Sequence, residues 1–398
     1  MSEQEIYQRF IDWLKQAWWD LPEADELMPL IMATYTPEEA SLLTGMPFSG
    51  RDLEELAEMK HMDPDDLNRR LDVLAKKGLV FRTVRGENIR YSLNDSFLVY
   101  YRSSFWPGRS DERSKAMAPL VNQYFYHGFF DQYDLTHLKG LRVLPIQEAI
   151  QDTRQILPYE EVVKVLDSVN YFTVSTCPCR HRKNIDPDSP NCEYPTETCL
   201  HFDRLGHYIV ENGLGREITR QETEEILRQC AEAGLVHGVS NYQEGVDTIC
   251  NCCRCCCIML EAFHKLKHAE GITPSNYLAK PNPEICIGCG LCVRRCPMGA
   301  MWLEDSPEAK NRITVVAAKN KKDKVELKNK RGKVSVVNPD ICIGCGVCAY
   351  KCPTESLVLE RREVVEHPPK NGREYMKLVT ADFAAGRAQS GQRRDQGV

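Results

Sequence analysis

The chain has 398 residues, 42% hydrophobic and 27% charged, with a formal net charge of −6. This composition suits a globular protein with a buried core, and the length predicts two or three domains. A net acidic chain lacks the overall electrostatic footprint of a nucleic-acid binder. The start, Met1-Ser-Glu-Gln-Glu-Ile, has neither the basic nor the apolar region of a signal peptide. No apolar run of about 18 residues is available to span a bilayer.

Nineteen cysteines are the outlying feature. Most lie between Cys177 and Cys352 in short-range groups, unlike a disulfide framework. Thiolates kept available for metal, with no secretory signal, predict a reducing cytoplasm.

Ile6, Phe10, Ile11, Trp13, Leu14 and Trp18 recur at helical spacing, which predicts a helix over the first 30 residues or so. The next helix opens at Thr36-Pro37-Glu38-Glu39, with a cap and an early proline. A second covers Arg51 to Lys60. A third runs from Pro64 to Lys77, capped by Asp63 and stopped by Gly78. Leu79–Val84 and Ile89–Leu93 flank a turn and read as a β-hairpin. Three helices and a hairpin resemble a winged helix-turn-helix of the MarR or ArsR kind. That resemblance implies DNA contacts from Asn68, Arg69, Arg70, Arg82, Arg85 and Arg90. Glu54, Glu55, Glu58, Asp65, Asp66 and Asp72 surround them and would repel phosphate. A docking or structural module is therefore the preferred reading, and nucleic acid is disfavoured as a partner.

From Phe97 to about Leu157 the chain is rich in aromatics, including Tyr100, Tyr101, Phe105, Trp106, Tyr124, Phe125, Phe129 and Phe130. This connector reads as packing or as the face of a homodimer. A helix is expected over 158–170 and a strand over 171–176, delivering the chain to Cys177 and Cys179. With Cys192 and Cys199 these have the number and compactness of a metal site, a candidate third cluster. Cys230, alone on a helix from Glu222 to Ala233, reads as a small buried hydrophobe.

The densest thiol run is Cys250, Cys252, Cys253, Cys255, Cys256 and Cys257. Its six side chains cannot converge on one cluster from a regular backbone. They are a candidate fourth cluster or shared ligands. Metal binding is favoured, because bare clustered thiolates repel one another and oxidise. Leaving out Cys230, the ten cysteines from Cys177 to Cys257 allow two four-thiolate clusters with two left over, or one cluster and a dithiol. Zinc, [2Fe–2S] and [4Fe–4S] stay open there.

One phrase then occurs twice. Cys286, Cys289, Cys292, Cys296 and Pro297 return as Cys342, Cys345, Cys348, Cys352 and Pro353, each copy spelling C-x2-C-x2-C-x3-C-P. Gly288, Gly290, Gly344 and Gly346 allow the backbone to approach a cluster and offer it N–H donors. Zinc sites are usually built from separated cysteine pairs instead. The two copies resemble bacterial dicluster ferredoxins. The resemblance implies two [4Fe–4S] clusters, the fourth cysteine of each run reaching across. Cys286, Cys289, Cys292 and Cys352 would then hold one cluster, and Cys342, Cys345, Cys348 and Cys296 the other. By extension from this run, one or two further iron–sulfur clusters are expected upstream.

Between the copies, Ile313–Val316 and Val334–Val337 are expected to pair, separated by a lysine-rich loop suited to an acidic redox partner. Ser356–Leu359 reads as a strand, and the residues from Asp382 as a low-complexity tail.

The whole chain resembles multi-cluster 4Fe–4S binding proteins of anaerobes. The expected fold is α+β and multidomain: a winged-helix-like helical domain over 1–96, a helical connector over 97–157 and a cysteine-rich α/β region over 158–275. A dicluster ferredoxin-like domain follows over 276–366, with an insertion at 301–337, then a tail over 367–398. The expected function is low-potential electron transfer to or from a partner oxidoreductase. The alternatives are a redox-sensing DNA-binding regulator, or an iron–sulfur oxidoreductase with its catalytic site in 177–257, where His181, His201 and Asp203 would serve as acid or base. No G-x-G-x-x-G follows a strand, so no nicotinamide or flavin site is expected.

Overall fold

The helix caps written in the sequence are met in the structure, a computed structural model that describes residues 1–17, 21–130, 133, 136–266, 271–317 and 324–395. The one helix expected over the first 30 residues is instead Glu3–Leu14, with Leu27–Thr34 as a separate helix. Ser2 and Glu5 close a reciprocal cap on helix Glu3–Leu14, and Thr36 and Glu39 do the same on Pro37–Leu43. Asp63 accepts the Asp66 N–H at the start of Pro64–Lys76. His61, with φ of 52°, ends Leu53–Lys60 in the left-handed region. In the first helix Tyr7, Phe10, Ile11 and Leu14 are buried, while Trp18 of the expected stripe lies outside the described residues.

The chain divides into two compact units, each assembled from separate stretches. The first comprises Met1–His137, Tyr171–Thr219 and Val379–Val398; the second comprises Leu138–Asn170 and Arg220–Leu378.

In the first unit, strand Asn88–Leu93 lies between Val80–Arg85 and the two-residue strand Arg51–Asp52, all antiparallel. The hairpin is held by packing, not left to solvent. Phe81 stacks on Tyr208 at 4.2 Å, and the Tyr208 hydroxyl donates to the Val80 carbonyl at 3.1 Å. Tyr100, Tyr101, Phe105, Trp106, Tyr124 and Phe129 are all buried, so the aromatic connector forms core. Strand Phe172–Thr176 pairs antiparallel with Glu197–Phe202 and with Arg216–Ile218.

The second unit contains an antiparallel sheet in which Val236–Ser240 pairs with Leu141–Val143 and with Thr248–Cys252. Around the duplicated motif, Tyr277–Pro281 pairs with Leu357–Arg361, and Met301–Asp305 with Lys333–Val337. The strands expected to pair with each other therefore part company. Ile313–Ala317 pairs with its near neighbour Lys324–Lys328, while Val334 faces Glu304. The local hairpin closes a shorter loop at lower entropic cost. The lysine run from Lys319 to Asp323 lies outside the described residues.

Two further expectations are corrected. The helix expected over 158–170 is a 3-10 turn at Pro158–Glu160 followed by Val162–Asp167. The break occurs at Glu161, whose backbone is extended, beside a Glu160 drawn into the core. The residues expected as tail include a helix, Gly372–Asp395, because Asn371 caps it by accepting the Arg373 and Glu374 N–H groups at 3.1 Å.

Glu160 is 3% exposed and ties two stretches of the second unit together. Its carboxylate accepts from Asn276 at 2.7 Å and pairs with Arg361 at 3.3 Å. Replacing it by alanine removes the ionic partner of half-buried Arg361, which keeps its bond to the Tyr277 hydroxyl, and should cost about 1.5–3 kcal/mol. Glu197→Ala, which breaks an exposed pair with Arg216, should cost under about 1 kcal/mol. Anaerobic urea titration of both variants compares the two midpoints.

Candidate metal centre

Strand pairing places the two copies of the cysteine motif face to face. Tyr277 is opposite Arg361 and Pro281 opposite Leu357, so the chain entering the first copy is bonded to the chain leaving the second. Met301 opposite Val337 does the same where the first copy ends and the second begins.

Two hollows result. One, of about 330 Å³, is lined by Cys286, Cys289 and Cys292 of the first copy and by Cys352 of the second. The other, of about 310 Å³, is lined by Cys342, Cys345 and Cys348 of the second copy and by Cys296 of the first. Cys348 borders both. The four glycines of the motif, Gly288, Gly290, Gly344 and Gly346, all have φ between 61° and 80°. At Gly344 a side chain is excluded twice over, because a Cβ there would overlap the Tyr277 carbonyl oxygen and the Ser275 hydroxyl.

Donors are directed at the sulfurs. The Ala300 N–H reaches Cys296 Sγ at 3.2 Å, and the Ser335 N–H reaches Cys286 Sγ at 3.4 Å. The Ser356 hydroxyl lies 3.3 Å from Cys352 Sγ. Burial, followed by the charges of Cys286 and Cys289, pushes the Cys292 thiol up to about 11. Burial also raises Cys296, Cys345 and Cys348. Thiols gathered in such hollows resist ionising against one another, and a bound cation reverses that balance. Four sulfurs around an apolar hollow, with N–H donors aimed at them, fit an iron–sulfur cubane in each.

A residue outside the motif braces the backbone of the first copy. Asn329 is fully buried in the insertion, donates to the carbonyls of Cys286 and Lys333 at 2.9 and 2.8 Å, and accepts the Gly332 N–H at 3.0 Å. It is masked in the sequence by its lysine and arginine neighbours, and the following Arg-Gly turn is the one signal that could have marked it.

Residues 279–353 match a family model described as a 4Fe-4S dicluster domain. Ferredoxin-3 of Rhodobacter capsulatus is 34% identical over 79 residues, which is 20% of this chain and 76% of that protein. The chain belongs to the ferredoxin family. No solved structure matches it significantly. Membership of this family supports an iron–sulfur, electron-transport role, and the likeness covers only the C-terminal motif. Among the described residues no helix is long and apolar enough to cross a membrane.

The upstream cysteines of the chain fall into groups. In the first unit, strand pairing puts Cys199 opposite Ser175, shortly before Cys177. Contact with the Cys179 thiol, then burial, raises Cys177, and Cys199 adds to the effect. Cys192 sits on the connecting loop, where its N–H donates to Asn184 at 2.8 Å. In the second unit the six-cysteine run splits. Cys252 contacts Cys250 and Cys257, while Cys256 contacts Cys253 and Cys255. Cys230 is buried on helix Arg220–Ala233.

The acid–base candidates are held by the first unit's framework. His201 is fully buried 3.1 Å from the Ser175 hydroxyl, and burial followed by the Arg102 charge holds it well below the usual imidazole range. His181 Nε2 hydrogen-bonds the Arg109 carbonyl at 2.7 Å, and Asp203 accepts the Tyr171 N–H at 3.1 Å.

Asn329→Ala should strand the Cys286 carbonyl and destabilise the second unit by about 1–3 kcal/mol, with faster iron loss to a chelator as the measurement. Gly344→Ala should deplete iron further than Asn329→Ala, because it displaces the cysteine loop itself.

Proposed function

We propose that the protein relays low-potential electrons between a donor and a partner oxidoreductase through two [4Fe–4S] clusters. The observation that carries this reading is the lining of each hollow by three cysteines of one copy and the fourth of the other. Cys286, Cys289, Cys292 and Cys352 would hold one cluster, and Cys342, Cys345, Cys348 and Cys296 the other. When bound, such clusters supply one-electron transfer. The chain's own part is to exclude water, to hold the sulfurs apart and to set the potential through donors such as the Ala300 and Ser335 N–H groups. Cys348, bordering both hollows, would lie between the two clusters.

The N-terminal helices and hairpin support a winged-helix-like docking module over a DNA reader. Arg69 and Arg70 pair with Asp66 at 3.3 and 3.0 Å, and Arg90 pairs with Asp52 at 3.2 Å. Asn68 accepts the Tyr91 hydroxyl at 2.8 Å. Side chains already bonded to local acids contribute little to phosphate binding. Salt-sensitive, sequence-selective DNA binding by the purified chain would restore the regulator reading.

Anaerobic purification with iron and sulfide counts and EPR tests the proposal. Cys289→Ser and Cys345→Ser should each abolish or alter a separate low-potential signal and lower iron by up to about four per chain. Unchanged signals in both would refute the ligand assignment.

A further inference from the structure

The run Cys253-Arg-Cys255-Cys256 has a geometry unlike that of the ferredoxin motif. The sulfurs of Cys253, Cys255 and Cys256 all lie within 4.8 Å of one another, and Cys255 Sγ and Cys256 Sγ are 3.7 Å apart. Among the described residues, none of the eight duplicated-motif cysteines belongs to a group of three ligand atoms drawn so close. The local backbone explains the convergence. After strand Thr248–Cys252 the chain makes one turn, with the Cys257 N–H donating to the Cys253 carbonyl at 3.2 Å, before helix Ile258–Leu266 begins. That turn puts Cys253 and Cys256, three residues apart, on the same side. Cys253 and Cys256 are buried and Cys255 is exposed, which leaves one open approach.

Sulfur spacing distinguishes one metal ion from a cluster. In a tetrahedral zinc site with Zn–S bonds near 2.3 Å, neighbouring sulfurs stand about 3.8 Å apart. In a cubane each cysteine binds its own iron, so an iron–iron edge separates the sulfurs and drives them well beyond that spacing. The 3.7 Å contact matches the single ion. Zinc is the divalent metal that combines thiolate preference with tetrahedral geometry and no redox chemistry of its own.

We infer that Cys253, Cys255 and Cys256 supply three thiolates to a single tetrahedral zinc ion, a structural site additional to the two ferredoxin clusters. Its role is to fix the turn between strand Thr248–Cys252 and helix Ile258–Leu266, as metal binding contributes folding free energy where thiols converge. The site does not depend on the electron-transfer reading.

Zinc, iron and acid-labile sulfide are counted in the full chain purified anaerobically. The expected result is one zinc per chain, absent from a Cys253→Ser/Cys256→Ser double variant that keeps wild-type iron, sulfide and EPR. Cys255→Ser alters an exposed position and leaves the buried packing intact. Its zinc affinity, by chelator competition, should fall by more than the roughly 10–100-fold that loss of an outer-shell partner costs. A double variant that loses iron and sulfide together would overturn the proposal in favour of a cluster. One that loses no metal would overturn it outright. Wild-type chain with iron but no zinc defeats this inference alone, whereas zinc without iron defeats the electron-transfer reading and leaves this one standing.

Discussion

Two short antiparallel pairings govern the ferredoxin portion of this chain. Tyr277–Pro281 against Leu357–Arg361 joins its ends, and Met301–Asp305 against Lys333–Val337 joins its middle. Each cysteine triplet is a local loop that its own glycines can form. The fourth cysteine lies beyond the reach of that loop, and the pairings bring it to the opposite triplet. The insertion between the copies leaves this arrangement intact because its extra residues fold back as a separate hairpin, Ile313–Ala317 with Lys324–Lys328.

The same part of the molecule shows how a protein assembles groups that resist being together. Raised thiols in apolar hollows stay protonated and neutral in the metal-free chain at neutral pH, so the electrostatic cost of gathering thiolates falls on the loading step. A cationic centre converts that cost into binding free energy, which couples loading to folding. Buried polar clamps prepare the geometry beforehand. Asn329 fixes the Cys286 backbone, and Arg295 donates to the Val347 carbonyl at 3.0 Å and to the Ala231 carbonyl at 2.9 Å. Those hydrogen bonds let Arg295 brace the second copy against helix Arg220–Ala233.

In the first unit, polar residues that a motif reading would assign to chemistry are engaged in structure. His201 is enclosed against Trp106 at a ring distance of 4.7 Å, and Arg69, Arg70 and Arg90 have acidic partners. Phe81 and Tyr208 show the hairpin packed on its own unit.

Helix caps, glycine turns and the doubled cysteine phrase were legible because each depends on residues within a few positions of one another, where backbone geometry follows from local chemistry. Thus Asp63 announced a helix start and Gly344 a loop without a side chain. The sequence also contained every upstream thiol but not its grouping, since sulfurs adjacent in the chain can point to different neighbours. Only tertiary structure paired Val334 with Glu304 in place of the Ile313 strand, buried Glu160 against Arg361, and divided the run from Cys250 to Cys257 into two threes. Those outcomes depend on contacts between residues far apart in sequence, whose free energy is set by burial and by the geometry of the partners and leaves no periodic trace along the chain.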